Sequence, residues 1–327
     1  MRSAGVLAVL AVLLVLSVGA GIFVGSVALG PSEVLAALAG SNDTSGTIVR
    51  ELRLPRVLGA ALVGGALAAA GALLQGLLRN PLADPFVTGT SAGATLAAVV
   101  AIALGLSAPF VPFASFVGAL IAVAVVWRLA HLGGPTTVLT VLLGGVVLTA
   151  LSGSVVTLIL VSSDRLALRL RSVLGWLQGG VSVLSWGELA VAVAIVVVGI
   201  GAAVILAPRV DAFAFGEETA ATLGVDRERT TRAVLAATAL LTGAAVALAG
   251  LVGFVGLVVP HMARLLFGPD NRLLLPAATV LGGVFLTGVD AIARDASPVT
   301  LPIGVITALI GAPLFVLLLK RRSAYVF

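Results

Sequence analysis

The chain has no cysteine, a single lysine, one tyrosine and few charges, with only 10% of its 327 residues being Asp, Glu, Lys or Arg. Each scarcity excludes a class of chemistry. Without cysteine there is no disulfide, no thiolate nucleophile and no Cys-based metal site. The one lysine, Lys320, is followed by Arg321, so the glycine-rich loop that ends in lysine and a hydroxyl to grip nucleotide phosphates is missing. His131 and His261 stand in different segments with no carboxylate at metal-ligand spacing, which argues against a zinc or iron site. Ser91, Thr149, Ser152, Ser154 and Thr157 lie within apolar stretches without a companion base, so nucleophilic catalysis is not supported either. Such hydroxyls bond back to their own helix carbonyls or line a polar path.

Apolar residues fill the remaining space, at 60% of the chain, and 39 glycines accompany them. A soluble domain carries roughly 25% charge, so lipid is the expected solvent here. Crossing a hydrocarbon core of roughly 30 Å takes about 20 apolar residues. Hydropathy predicts spans at about 5–29, 53–78, 86–106, 112–132, 138–162, 187–208, 230–252, 254–267, 272–296 and 301–320. The fold class is therefore all-α membrane, a single transmembrane domain over 1–327 built as a polytopic bundle of about ten transmembrane helices. The first apolar stretch runs to Leu29, too long for a signal-peptide core, and reads as a span. The eighth is too short to cross simply, and Gly253 and Gly256 beside it predict a tilted or broken element packed inside protein.

Ten crossings put both termini on one side, and Lys320-Arg321-Arg322 argues that this side is cytoplasmic. Arg50, Arg53, Arg56, Arg165, Arg169, Arg171 and Arg294 then fall on the outer face against the positive-inside rule. Either the topology differs or these arginines serve an acidic partner or ligand approaching from outside. The pI near 11.1 reflects this loop placement rather than a nucleic-acid partner.

Val57 to Gly76 resembles Val234 to Gly256, and Thr149 to Gly153 resembles Thr307 to Gly311. The paired segments run in opposite directions in the ten-span scheme, which predicts an inverted repeat of the kind transporters use, with a pathway between the halves.

Three further stretches extend beyond composition. The first is Arg53-Leu54-Pro55-Arg56, then Gly71, Gln75, Arg79-Asn80-Pro81-Leu82-Ala83-Asp84-Pro85 and Gly89-Thr90-Ser91-Ala92-Gly93-Ala94. The second is Phe215-Gly216-Glu217-Glu218-Thr219-Ala220-Ala221-Thr222-Leu223-Gly224. The third runs from Gly253 to Arg264 through Pro260 and His261, continuing to Asp290 and Leu301-Pro302-Ile303-Gly304. In order and spacing they resemble the FecCD-type permeases, membrane subunits of type II (BtuC-like) ABC importers for iron-siderophores, haem and cobalamin.

That resemblance implies ten helices per subunit, a homodimer around a pathway lined by the fifth and tenth helices, two copies of a separate ATPase and a periplasmic substrate-binding protein. It places the chain in the bacterial inner membrane, with ATP and magnesium on the ATPase and no cofactor on this chain. The polar segment from about 211 to 232 resembles the family's coupling loop, expected as two short helical pieces. Phe215, Gly216, Glu217, Glu218, Thr219, Leu223 and Gly224 are its expected ATPase contacts. Arg53, Arg56 and Arg294 match outer-face arginines that pair with glutamates of the binding protein, with headgroup phosphates as the other reading. Asn80 and Leu82 match an inner gate, joined by Thr137 and Thr140 at the same depth. Thr149, Ser152 and Thr307 are the expected pathway lining. The implied cargo is a ferric siderophore or haem, with cobalamin as the alternative. An intramembrane enzyme or an ion-coupled transporter would need buried acids, and only Asp290 qualifies in the spans.

Overall fold

The computed structural model describes residues 2–131, 138–162, 170–183, 185–295 and 301–320, and among these every regular element is helical. Ten helices follow the predicted spans: α1 (Arg2–Phe23), α2 (Leu54–Leu78), α3 (Thr90–Ala103), α4 (Phe110–His131), α5 (Val138–Ser162), α6 (Trp186–Ala214), α7 (Arg227–Ala249), α8 (Val255–Phe267), α9 (Asn271–Asp295) and α10 (Ile303–Lys320). Seven contain a stretch long and apolar enough to cross a membrane, while α3, α8 and α10 are shorter apolar helices. The end of the bundle that carries the start of α1 and the finish of α10 is called proximal below, and the other distal.

Three boundaries differ from expectation for identifiable reasons. Helix α1 stops at Phe23 rather than Leu29, where arginine side chains take its last carbonyls. Helix α3 starts at Thr90 because Asp84-Pro85 first opens a 3-10 turn over Pro85–Thr88, closed by Gly89 at φ 82°. Helix α6 runs on to Ala214, through Pro208, and so absorbs the first residues of the expected loop.

Contacts between helices repeat in two halves. Helix α2 packs on α9, and its counterpart α7 packs on α4; α3 packs on α4 and α5, and α8 packs on α9 and α10. The two repeat-related helices α2 and α7 pack against each other at the centre. The short third and eighth helices share a further detail, since each opens on a left-handed residue, Gly89 at φ 82° and Phe254 at φ 67°. This is the inverted repeat that the segment similarities predict.

Close approach of backbones is what the glycines permit. A Cβ on Gly64 would lie 2.1 Å from the carbonyl oxygen of Gly282, and one on Gly71 would lie 1.8 Å from that of Gly256. Small residues at such crossings let dispersion act over a large backbone area where no hydrophobic force separates helix from lipid.

The expected break before α8 is present as irregular backbone from Gly250 to Phe254. Buried non-helical backbone is tolerated only when its polar groups are satisfied. Gly180 N–H donates to Ala249 O at 2.8 Å, Ile303 N–H to Gly179 O at 3.0 Å and Gly304 N–H to Gln178 O at 3.1 Å, so three irregular segments bond one another.

Candidate functional site

At the distal end, two arginines converge on one fully buried acid and a third grips the end of α1 beside them. Asp290 of α9 accepts from Arg56 Nε and from Arg294 Nε, each at 2.9 Å. Arg294 sits one turn beyond Asp290 on the same helix and also donates to the carbonyls of Gly21, at 2.9 Å, and Val24. Arg53 donates to the carbonyls of Ile22, at 3.1 Å, of Phe23, at 3.4 Å, and of Val27. The last carbonyls of a helix have no partner of their own and form its negative end, so two cations here satisfy both needs of α1. These contacts revise the docking assignment. Arg53 and Arg294 are each only 5% exposed and are engaged inside the chain, whereas Arg56 keeps a side chain 25% exposed. Arg165 and Arg169 lie outside the described residues.

At the proximal end, α6 runs out at Ala214 and a short helix, Glu217–Thr222, stands between Gly216 at φ 102° and Gly224 at φ 77°. Only glycine adopts both conformations without strain, and the two pivots set this helix off from α6 and α7. One short piece is present rather than two, because the residues from Arg227 onward already belong to α7, capped by Asp226, whose carboxylate accepts from Arg229 N–H at 2.9 Å. Phe215 and Leu223 flank the short helix and are 76% and 66% exposed. Phe213, two residues before Phe215, is instead buried in the core.

The two neighbouring acids of this helix differ. Glu217 Oε1 lies 3.6 Å from Arg79 and its Oε2 accepts from Arg227, whereas Glu218 forms no ion pair among the described residues. Arg79 ends α2 in a left-handed conformation, φ 47°, and begins the corner that the sequence marks as a gate. Asn80 accepts from Leu82 N–H at 2.9 Å, so its side chain holds the turn together and leaves Leu82 40% exposed. Thr140 sits half-buried in the first turn of α5, and Thr137 lies outside the described residues.

Between the two ends a cavity of about 640 Å³ is lined by the 84–91 corner, by Thr149 and Ala150 of α5 and by Phe254 and Leu257 at the start of α8. Thr149 is exposed on this side, its hydroxyl donating to Gly145 O at 2.8 Å. Ser152 and Thr307 are 3% and 0% exposed and face the interior of the chain, which removes them from the lining. The exposed face of α5 instead carries Gly153, Ser154 and Thr157 beside Thr149. The spacing 149, 153, 157 is the i, i+4, i+8 repeat of one helix face and is legible in the sequence. Asp84 stands in the first of the family-like stretches with no role assigned to it there. It lies in the loop between α2 and α3, accepts from Phe86 N–H at 2.8 Å, and burial pushes its carboxyl up to about 6, the Phe86 bond only partly opposing this.

A bundle of apolar helices in an inverted repeat, with a set-off polar helix at one end, matches a known set of proteins. The model of the FecCD transport family matches residues 9–321. The chain belongs to the FecCD transport family. Relatives of this FecCD chain include the cobalamin import permease BtuC of Halobacterium salinarum, 44% identical over 87% of this chain and 76% of that one. The hemin transport permease HmuU of Yersinia pestis is 36% identical, over 86% of this chain and 86% of its own length. Among solved structures, an ABC transporter assigned to the metal-chelate type, in an inward-facing conformation, superposes with a TM-score of 0.86 at 29% identity, covering 97% of this chain and 99% of that chain. The FecCD chain is thus a multi-pass ABC importer permease and not an enzyme; ATP hydrolysis belongs to a separate subunit.

Proposed function

We propose that this FecCD permease passes a metal chelate from periplasm to cytoplasm across the bacterial inner membrane. Its proximal end, with both termini, faces the cytoplasm. Two copies enclose the path, which fits the broad exposed faces of α5 and α10, where Leu143, Val146, Leu309 and Val316 are all half or more exposed. Two ATPase subunits bind at the proximal end and a binding protein at the distal end. ATP and magnesium reside on the ATPase.

The observation that carries this reading is the pair Phe215 and Leu223. They project from a segment outside the membrane helices, where exposed apolar side chains of that size mark a protein contact. Glu218 beside them adds an exposed carboxylate, without an ion pair among the described residues, for a basic partner. At the distal end, Arg56 offers an acidic partner its open edge, and Arg53 and Arg294 act as struts that fix the surface around it.

The cargo is a bulky chelate. Iron-siderophore or haem is the reading drawn from the motifs, but greater identity to a permease named for cobalamin than to one named for hemin favours a corrinoid. Proteoliposomes holding the permease and its ATPase, given binding protein loaded with cyanocobalamin or with haemin, decide between them. ATP-driven accumulation of cyanocobalamin alone supports the corrinoid, accumulation of haemin alone restores the iron reading, and accumulation of neither removes both.

A further inference from the structure

Glu217 stands where three elements meet. Its carboxylate oxygens reach Arg79, at the proximal end of α2, and Arg227, at the proximal start of α7. Those two helices are the repeat-related pair at the centre of the bundle, one from each half. A single side chain of the short helix therefore touches both halves of the molecule at the end where the gate corner begins.

The backbone of Arg79 supplies a second observation. A left-handed residue closing a helix is usually glycine, since any Cβ there is strained. Here the position is held by arginine at φ 47°, with its side chain about half exposed. Its guanidinium pairs with Glu217, and the next residue, Asn80, starts the turn that presents Leu82. Strain kept at one position by a long charged side chain suggests a use for that side chain. Exposed ion pairs contribute little to stability, so keeping the fold is a poor explanation for this one.

We propose that Glu217 is a link and not an ATPase contact: it ties the short helix to α2 and α7, and Arg79 is the positioning residue that passes the helix's motion to the gate corner. The proposal rests on the reading that residues 215–224 dock the ATPase. When the ATPase moves the short helix about its two glycine pivots, the divided carboxylate pulls on both halves together, and the 79–82 corner moves with the end of α2.

The decisive variant is Arg79→Gly. Glycine relieves the left-handed backbone, so the complex should assemble and its thermal midpoint should stay level or rise, while chelate taken up per ATP hydrolysed falls about fivefold or more, as loss of an inter-site coupling predicts. Arg79→Lys, which keeps the charge, should recover part of that ratio. The chain lacks cysteine, so Arg79→Cys with Glu217→Cys can be joined by a bifunctional thiol reagent of matching length without background labelling. Uptake per ATP should be low before joining and recover after it. Full coupling in Arg79→Gly, or joined protein no better than unjoined, overturns the proposal. Loss of ATPase binding in Glu217→Gln also overturns it, because Glu217 would then be a docking residue. Phe215→Asp with Leu223→Asp is the separate arm: an undisturbed complex there defeats the docking reading alone.

Discussion

At the residue scale, two positions show how environment sets the role of a side chain. Asp84 caps the turn at Pro85 while burial lifts its carboxyl to about 6 from 3.8. A folded pKa above the unfolded one means the native state holds the proton more tightly, so stability falls as pH rises from about 4 to about 6 and is level above. The shift of about two units sets an upper bound of about 3 kcal/mol. Asp84→Asn keeps the capping oxygen and removes the charge. It should therefore raise the thermal midpoint at pH 7.5 and raise it by only about a third as much at pH 4.5, where the unfolded carboxyl has begun to ionise. A gain of equal size at both values would show that ionisation is not the cause. Gly71 is the second position. Adding a methyl group there drives it into Gly256 O, and Gly71→Ala should cost at least about 1–3 kcal/mol of stability in detergent. Gly253→Ala, with no atom within 4 Å of the added Cβ, is the matched control and should cost much less.

At the element scale, α1 is held by charge as much as by packing. Arg53 and Arg294 take carbonyls from Gly21 to Val27, and Asp290 balances Arg56 and Arg294 from a fully buried position. Removing one member of a buried ion pair leaves an uncompensated charge, typically at a cost of about 3–5 kcal/mol. Asp290→Ala should accordingly lower stability by several kcal/mol and release α1, read as faster proteolysis within residues 24–30. Arg56→Ala touches only the partly exposed arm, so it should cost less than half as much. Equal losses from the two would contradict the assignment of Asp290 as the centre of the clamp.

The outer arginines also mark the limit of what the chain reveals on its own. Charge counting correctly finds them anomalous, and the ten spans, the inverted repeat and the break before α8 all follow from hydropathy, segment similarity and glycine placement. Which way each guanidinium points depends on where α1 ends. That end lies at Phe23 because arginines from α9 and from the segment before α2 reach it, and so it is a tertiary fact with no local signal. Ser152 and Thr307 fail as lining for the same reason. Each hydroxyl looks alike in the sequence, and rotation of α5 and α10 about their axes decides which of them is exposed. Glu217 and Glu218 are adjacent and chemically identical, yet contact with Arg79 and Arg227 separates them.

At the scale of the whole molecule, the chain lacks the phosphate-gripping loop of a nucleotide site, and its exposed short helix is proposed to receive force from a subunit that has one. The purified permease alone should neither hydrolyse ATP nor take up a photoreactive nucleotide label, and hydrolysis should appear only with the ATPase present. The central claim is that the segment around Phe215 and Leu223 is where that force enters. It is tested most directly by measuring ATP-dependent chelate uptake in proteoliposomes containing ATPase and either the native permease or Phe215→Asp with Leu223→Asp. Uptake by the native complex, with loss of both uptake and ATPase binding in the variant, is the predicted result; a variant that keeps its ATPase and transports at the native rate would contradict the account.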